Sequence, residues 1–317
     1  MTERRPLLLL DTASLYFRAF YGVPDSLKAP DGTPVNAVRG LLDMIARLVT
    51  DHRPSRLVAC WDDDWRPAFR VEAIPTYKAH RVAEVLPDGE EAEEVPDLLA
   101  PQIPVIVDVL AALGIARVGA PGYEADDVIG TLVAQERDRP AKDRTPIDVI
   151  TGDRDMFQLV DDTAQVRVLY TQRGIKNLEI VDEARLAEKY AVASGQAYAD
   201  MAVLRGDASD GLPGVPGIGE KTAATLVARY GDLAGILAAR DAGDAGMTAG
   251  QRKRLVEAAD YLDVAPAVVR VAPDAPVGEV HDALPTTPAD PDALADLSER
   301  WGLTSSVQRV LAALAPS

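Results

Sequence analysis

Three short apolar runs, each closed by a carboxylate, constrain this chain more than any other feature. They are PLLLLD (residues 6–11), RLVACWDD (56–63) and IDVITGDRD (147–155). An apolar run too short for a helix reads as a strand buried on both faces, the pattern of a parallel sheet. Helical periodicity fills the intervals, in VNAVRGLLDMIARLVT (35–50), IPVIVDVLAALG (103–114) and EADDVIGTLVAQERD (124–138). Strands alternating with helices define an α/β fold with a mostly parallel sheet flanked by helices. Ligands of such sheets bind beyond the carboxyl ends of the strands. Three strands that each deliver Asp to that edge therefore point to a site there.

Beyond residue 170 the pattern becomes mostly helical, in DEARLAEKYA, AYADMAVLRGD, EKTAATLVARYG and QRKRLVEAADYLD. The acidic, proline-marked stretch 84–101 reads as a surface loop or short helix. The proline-rich segment 272–293 reads as a connector to amphipathic helices ending near Leu314. The expected division is an α/β core over 1–175, a helical region over 176–275, and a C-terminal linker with helices over 276–317. No stretch approaches the roughly 20 apolar residues of a membrane span. Four leucines before Asp11 are too few for an export signal. A single cysteine, Cys60, forbids an internal disulfide and fits a reducing, cytoplasmic setting.

Nine carboxylates are candidates for the sheet edge: Asp11, Asp62, Glu124, Asp126, Asp127, Asp153, Asp155, Asp207 and Asp210. Any one alone serves as a helix cap or a solvated charge. Gathered at one edge they would repel one another unless cations bound there, and hard oxygen ligands select Mg²⁺ or Mn²⁺. No Cys or His cluster points to zinc. Asp210 is followed closely by GVPGIGEKTA, in which Gly214, Gly217 and Gly219 allow close backbone approach. A helix beginning near Glu220 would aim free N–H groups at a phosphate, with Lys221 and Thr222 beside them. The net charge of −17 argues against a general nucleic-acid coat. The segment RPAFRVEAIPTYKAHR (66–81) answers it locally, with Arg66, Arg70, Lys78, His80 and Arg81 around Phe69 and Tyr77. Arg18 follows Asp11 by two helical turns and can join this island. His80 reads as a surface contact.

The segments DTASLYFRAF, FR…YKAHR, GYEADDV, TGDRDMFQLV and GDASDGLPGVPGIGEKTA occur in that order. Together the set resembles the 5′-nuclease domain of bacterial DNA polymerase I and the wider flap endonuclease family, here in a stand-alone form of the actinobacterial type. The resemblance implies a PIN-like core, a helical arch at about 70–100 for a 5′ single strand, and a helix–hairpin–helix at about 200–232 for duplex backbone. It implies a first metal site from Asp11, Asp62, Glu124, Asp126 and Asp127, and a second from Asp153, Asp155, Asp207 and Asp210. Lys78, Arg81 and Arg70 would be catalytic. Arg18, Tyr77, Gly214, Gly217, Gly219, Lys221 and Thr222 would bind DNA, and K⁺ would bind at the hairpin. Family spacing favours Asp63 of WDDDW, the strand end favours Asp62, and Asp64 stays open; Asp62 is taken as the candidate. The implied activity is that of an Mg²⁺-dependent 5′–3′ exonuclease and flap endonuclease, monomeric, acting on flaps, nicks, 5′ ends and RNA–DNA primers in replication and repair. Two other readings are a non-catalytic DNA-structure-binding protein and a small single-strand ribonuclease. The intact acidic set speaks against the first and the duplex-suited hairpin against the second.

Overall fold

The structure, a computed structural model, describes residues 4–85 and 91–315. Its strands are β1 (Leu7–Asp11), β2 (Arg56–Cys60), β3 (Val82–Val85), β4 (Glu91–Glu93), β5 (Ala116–Val118), β6 (Ile147–Thr151), β7 (Val166–Tyr170) and β8 (Glu179–Val181). The helices of the first half are α1 (Thr12–Gly22), α2 (Asn36–His52), α3 (Ala68–Ala73), α4 (Gln102–Leu113) and α5 (Ala125–Asp138). They are followed by α6 (Glu183–Tyr190), α7 (Gly195–Arg205), α8 (Glu220–Tyr230), α9 (Leu233–Asp241), α10 (Ala249–Glu257), α11 (Ala259–Val269), α12 (Pro291–Arg300) and α13 (Thr304–Leu314).

The main sheet has the order β5-β2-β1-β6-β7-β8, parallel except for the edge pair β7–β8. The three carboxylate-bearing strands are neighbours at its centre. In register, Leu9 of β1 lies between Val58 of β2 and Val149 of β6. Asp11, Asp62 and Asp153 thus emerge side by side at the carboxyl edge. Alternation along β1 divides the interior into two cores. Leu7 and Leu9 face a core shared with α5 and with the helices from α6 to α11. Leu8 and Leu10 face a second core under α1, α2, α4, α12 and α13. Leu226, Ile236 and Leu255 of the helical half belong to the same cluster as Leu7 and Leu9, so that half packs on the sheet rather than around a core of its own.

Two sequence expectations need correction. The arch over 70–100 is helical only at its start among the described residues; residues 86–90 lie outside them. α3 stops at Ala73, a single 3₁₀ turn covers Ala79–Arg81, and β3 and β4 pair as an antiparallel ribbon. Pro75 removes a helical donor and pushes Ile74 into the extended region (φ −137°, ψ 96°). The C-terminal segment is likewise no loose linker. Ala283 forms a bridge with Arg56 at the start of β2, where Leu57 N–H donates to Asp282 O (2.9 Å) and Leu284 N–H to Ser55 O (3.1 Å). The Arg56 guanidinium clamps the Asp282 carboxylate (Nη2–Oδ2 2.7 Å) and that of Glu136 (2.6 Å). Beyond that clasp, α12 packs on α4 and α13 on α2.

Leu303, between α12 and α13, is fully buried in the second core. Leu303→Ala should therefore cost about 2–5 kcal/mol in urea unfolding, as for other core truncations. A change within about 0.5 kcal/mol, ordinary for a surface position, would show that the C-terminal helices are not part of the folded unit.

Candidate active site

A cleft of about 410 Å³ opens at the carboxyl edge of the central strands. Asp11, Asp62, Glu124, Asp126, Asp153 and Asp207 line it together with Lys78 and Arg81. Each carboxylate reaches it for a local reason. Asp11 ends β1 and caps α1, accepting from Ser14 N–H (3.1 Å), while its other oxygen accepts from the Thr151 hydroxyl (2.6 Å). Asp62 follows β2 and accepts from Ala125 N–H (2.7 Å) at the start of α5. Asp126 lies in the first turn of that helix. Asp153 follows β6, its N–H donating to the Thr151 oxygen (2.8 Å). Asp207 caps the turn after α7, accepting from Ser209 N–H (2.8 Å). The three carboxylates of WDDDW take different positions. Asp63 turns toward Arg117 (3.8 Å), Asp64 accepts from Arg66 N–H (3.0 Å), and Asp62 alone of the three lines the cleft.

Crowding and burial shift these groups. Burial pushes Asp11 up to about 7, helped by the Asp62 charge and opposed by the Thr151 hydrogen bond. Burial likewise carries Asp62 to about 6. Asp126 is raised well above the usual carboxylate range by burial and by Asp11 and Asp153. Burial, with Asp153, Asp207 and Asp210 nearby, takes Asp155 to about 7. Burial also raises Asp210, though Lys78 and Arg81 oppose it. Asp207 runs the other way: burial would raise it, but the Ser209 bonds and the Arg154 and Arg205 charges outweigh that. A divalent ion would relieve the same repulsion, so the donor set fits one. Among the described residues no group of carboxylates converges tightly enough to cage an ion unaided.

Four expected site residues have other positions. Arg70 is buried outside the cleft, donating to Glu124 Oε2 (2.5 Å), to both Asp127 oxygens (2.7 and 2.6 Å) and to Val268 O (3.1 Å). Asp127 is 0% exposed and also accepts from Glu124 N–H and Ala272 N–H, so its oxygens are fully engaged. These two residues fix the start of α5 rather than facing a substrate. Tyr77 is buried as well, its hydroxyl donating to Glu124 Oε2 (2.6 Å). Gly219 adopts φ −86° with open space around it, so it makes no special backbone demand. Gly214 and Gly217 do, at φ +64° and +78°, and a Cβ on Gly217 would stand 2.8 Å from the Arg254 guanidinium carbon. Lys221 is exposed and Thr222 partly so at the start of α8. Arg18 lies against Gly152 at the cleft wall. Asp155 and Asp210 sit beside the cleft, Asp210 paired with Arg81 (2.7 Å).

Lys78 pairs with Glu124 Oε1. Burial would lower its pKa, but the Glu124 charge outweighs that and holds it well above the usual lysine range. Its backbone takes the left-handed region (φ +47°), and its N–H donates to Asp210 O (2.9 Å). Gly211 makes this junction fit, because a Cβ there would stand 2.0 Å from Thr76 O. Sequence reasoning missed Thr151, Glu93 and Arg154. Thr151 carried a signal, a hydroxyl between a buried strand and GDRD. Glu93 lay within a uniformly acidic stretch where nothing distinguished it; burial raises its carboxyl.

An acidic cleft at the carboxyl edge of a parallel sheet, rimmed by Lys78 and Arg81, defines the class. The chain belongs to the 5′–3′ exonuclease family. A family profile described as "5′-3′ exonuclease, N-terminal resolvase-like domain" matches residues 6–191, and "5′-3′ exonuclease, C-terminal SAM fold" matches 193–292. Among its relatives are a 5′-3′ exonuclease of Streptomyces coelicolor, 65% identical over 97% of this chain and 99% of that one, and a 5′-3′ exonuclease of Mycobacterium tuberculosis, 53% identical over 98% of both. DNA polymerase I of Mycobacterium bovis is 42% identical over 72% of this chain and 23% of its own length. The fold is shared with the T5 D15 protein co-crystallized with metal ions (TM-score 0.62, 16% identity, 97% of this chain and 99% of that one). It is shared also with human GEN1 in complex with Holliday junction DNA (TM-score 0.59, 15% identity, 98% and 71%).

Asp11, Asp62 and Asp155 bind protons more tightly folded than unfolded, with folded values of about 7, 6 and 7 against 3.8. The stability these groups contribute in EDTA should therefore be fully present below about pH 4 and be lost as pH rises to about 7. Saturating Ca²⁺ should flatten the fall, so the metal-induced rise in Tm grows with pH. Urea unfolding across that window tests this; stability that rises with pH in EDTA would contradict it.

Proposed function

We propose that the chain is a divalent-metal-dependent, structure-specific 5′ nuclease that removes 5′ single strands, nucleotides at nicks and 5′ ends, and RNA–DNA primers during replication and repair. The observation that carries this reading is the convergence of seven carboxylates on one cleft, several of them raised by burial and by one another's charge. Mg²⁺ or Mn²⁺ is the implied ion. Asp11, Asp62 and Asp126, with Glu124 through water, would hold the first, and Asp153, Asp155, Asp207 and Asp210 the second. When bound, such ions supply a water of lowered pKa and charge for the attacking and leaving oxygens.

The chain's own residues do the rest. Lys78, protonated and reaching the cleft, would exchange Glu124 for a substrate phosphate and steady the charge that develops there. Arg81, now on Asp210, would do the same at the rim. Arg70, Tyr77 and Asp127 hold Glu124 in place and so act as positioning residues. The glycine turn, the free N–H groups at the start of α8 and Lys221 would grip duplex backbone without reading bases. Arg18, beside Gly152, would contact DNA at the cleft wall. The resemblance adds K⁺ at the hairpin, where the Gly217 carbonyl now accepts from Arg254 (2.8 Å). Action as a cytoplasmic monomer completes the reading; Cys60 is free and buried, as a reducing setting allows.

An end-labelled 5′-flap duplex, incubated with Mg²⁺, Mn²⁺ or EDTA, tests the reading. Cutting near the flap junction should require the metal, and Asp126→Asn should abolish it while flap binding in Ca²⁺ survives. Cutting that persists in EDTA would sink the assignment. Lys78→Ala should lower the single-turnover rate by roughly 10²- to 10³-fold with near-normal affinity, and Lys78→Arg should recover only part of it. A loss of affinity alone would make Lys78 a phosphate anchor.

A further inference from the structure

Arg205, the last residue of α7, lies between the second carboxylate group and the hairpin helix. Its side chain is nine-tenths buried. Its Nε donates to Gly206 O (3.1 Å), and its Nη1 to the Glu220 carboxylate (3.1 Å) at the start of α8. Nη2 points the other way, 3.8 Å from Asp155 Oδ1 and 3.9 Å from Asp207 Oδ2. Those separations are too long for hydrogen bonds but short enough for strong attraction between buried charges. Both Nη2 and Asp155 Oδ1 are buried with no hydrogen-bond partner. Buried polar atoms are rarely left so. A guanidinium and a carboxylate that face each other unpaired leave the carboxylate's lone pairs available to something else. Arg154 also approaches Asp207 (3.6 Å), but it is 44% exposed and screened by solvent.

We propose that Arg205 is the resident counter-ion of the second carboxylate group: it neutralises Asp155 and Asp207 when no metal is bound there, competes with metal for them, and is restrained from closing on them by Glu220. The inference rests on the reading of Asp155 and Asp207 as metal ligands. Arg205 is a positioning residue in this scheme, since it acts on the reaction through the carboxylates. Its tether to the first residue of α8 also gives the duplex grip a mechanical connection to metal occupancy: a shift of α8 that pulls Glu220 moves the competing cation.

The test is a Mn²⁺ titration of the full chain, with the free ion followed by electron paramagnetic resonance and Tm recorded in EDTA beside it. Arg205→Met should tighten one class of Mn²⁺ sites by on the order of tenfold, the loss of one competing charge, and should lower Tm in EDTA. Arg205→Lys, which keeps the charge and loses the fork, should lie between Arg205→Met and the native chain. Glu220→Gln frees Nη1 and should move the same class the opposite way, to weaker binding. Asp155→Asn should remove or weaken that class. A purely structural role for Arg205 makes Arg205→Met and Glu220→Gln err in the same direction, and that result would overturn the proposal. So would an unmoved Mn²⁺ affinity in Arg205→Lys and Glu220→Gln, should Arg205→Met fail to fold. If Asp155→Asn leaves every class intact, the metal reading of the second group fails first, and the proposal falls with it.

Discussion

Like charge held at close quarters is the constraint around which the molecule is arranged. The sheet brings carboxylates to one edge, and burial there costs more than the backbone can offset. The protein answers with cations drawn from scattered parts of the chain. Arg70 locks the start of α5, Lys78 and Arg81 come from the junction before β3, and Arg154 and Arg205 stand on the far side. Few of these pairings are isolated. Glu124 receives Arg70, Tyr77 and Lys78 together, so removing any one donor leaves a buried charge under-compensated. The cleft thus combines repulsion among its carboxylates with internal neutralisation by these cations.

That balance explains which residues were legible in the sequence. The three central strands were plain, because a strand buried on both faces must be apolar throughout, and an Asp that closes such a run stands where the sheet meets solvent. The helices α2, α4, α5 and α8 were plain from their periodicity. The strand β7 went unrecognised, since VRVLY sits at the border of the helical half and carries an arginine at its second position. The helical arch came from the resemblance alone, whereas in this chain Pro75 and the valines that follow favour extended structure.

The acidic set was legible as a set, and less so one residue at a time. Composition cannot separate a carboxylate that faces a cleft from one that faces an arginine. Asp126 and Asp127 are adjacent, yet a helix turns them about 100° apart, so one looks into the cleft and the other into the Arg70 pair. Tyr77 and Lys78 divide in the same way, one packed inward and one reaching the site. Only tertiary placement decides such cases. The capping role, open to any single Asp, holds literally for Asp11 and Asp207 even as both line the cleft.

The clasp between the two ends of the chain has a consequence for synthesis. Arg309 of α13 pairs with Asp43 of α2 (2.7 Å), and Arg39 reaches Ser305 (3.1 Å), each across 266 residues of sequence. A ribosome releases residues in order, so α2 emerges well before α13, the helix that covers one of its apolar flanks. Contacts this distant in sequence close slowly, and exposed apolar surface invites association in the interval. Packing of α2 is therefore complete only once α13 has been made and has folded back onto it.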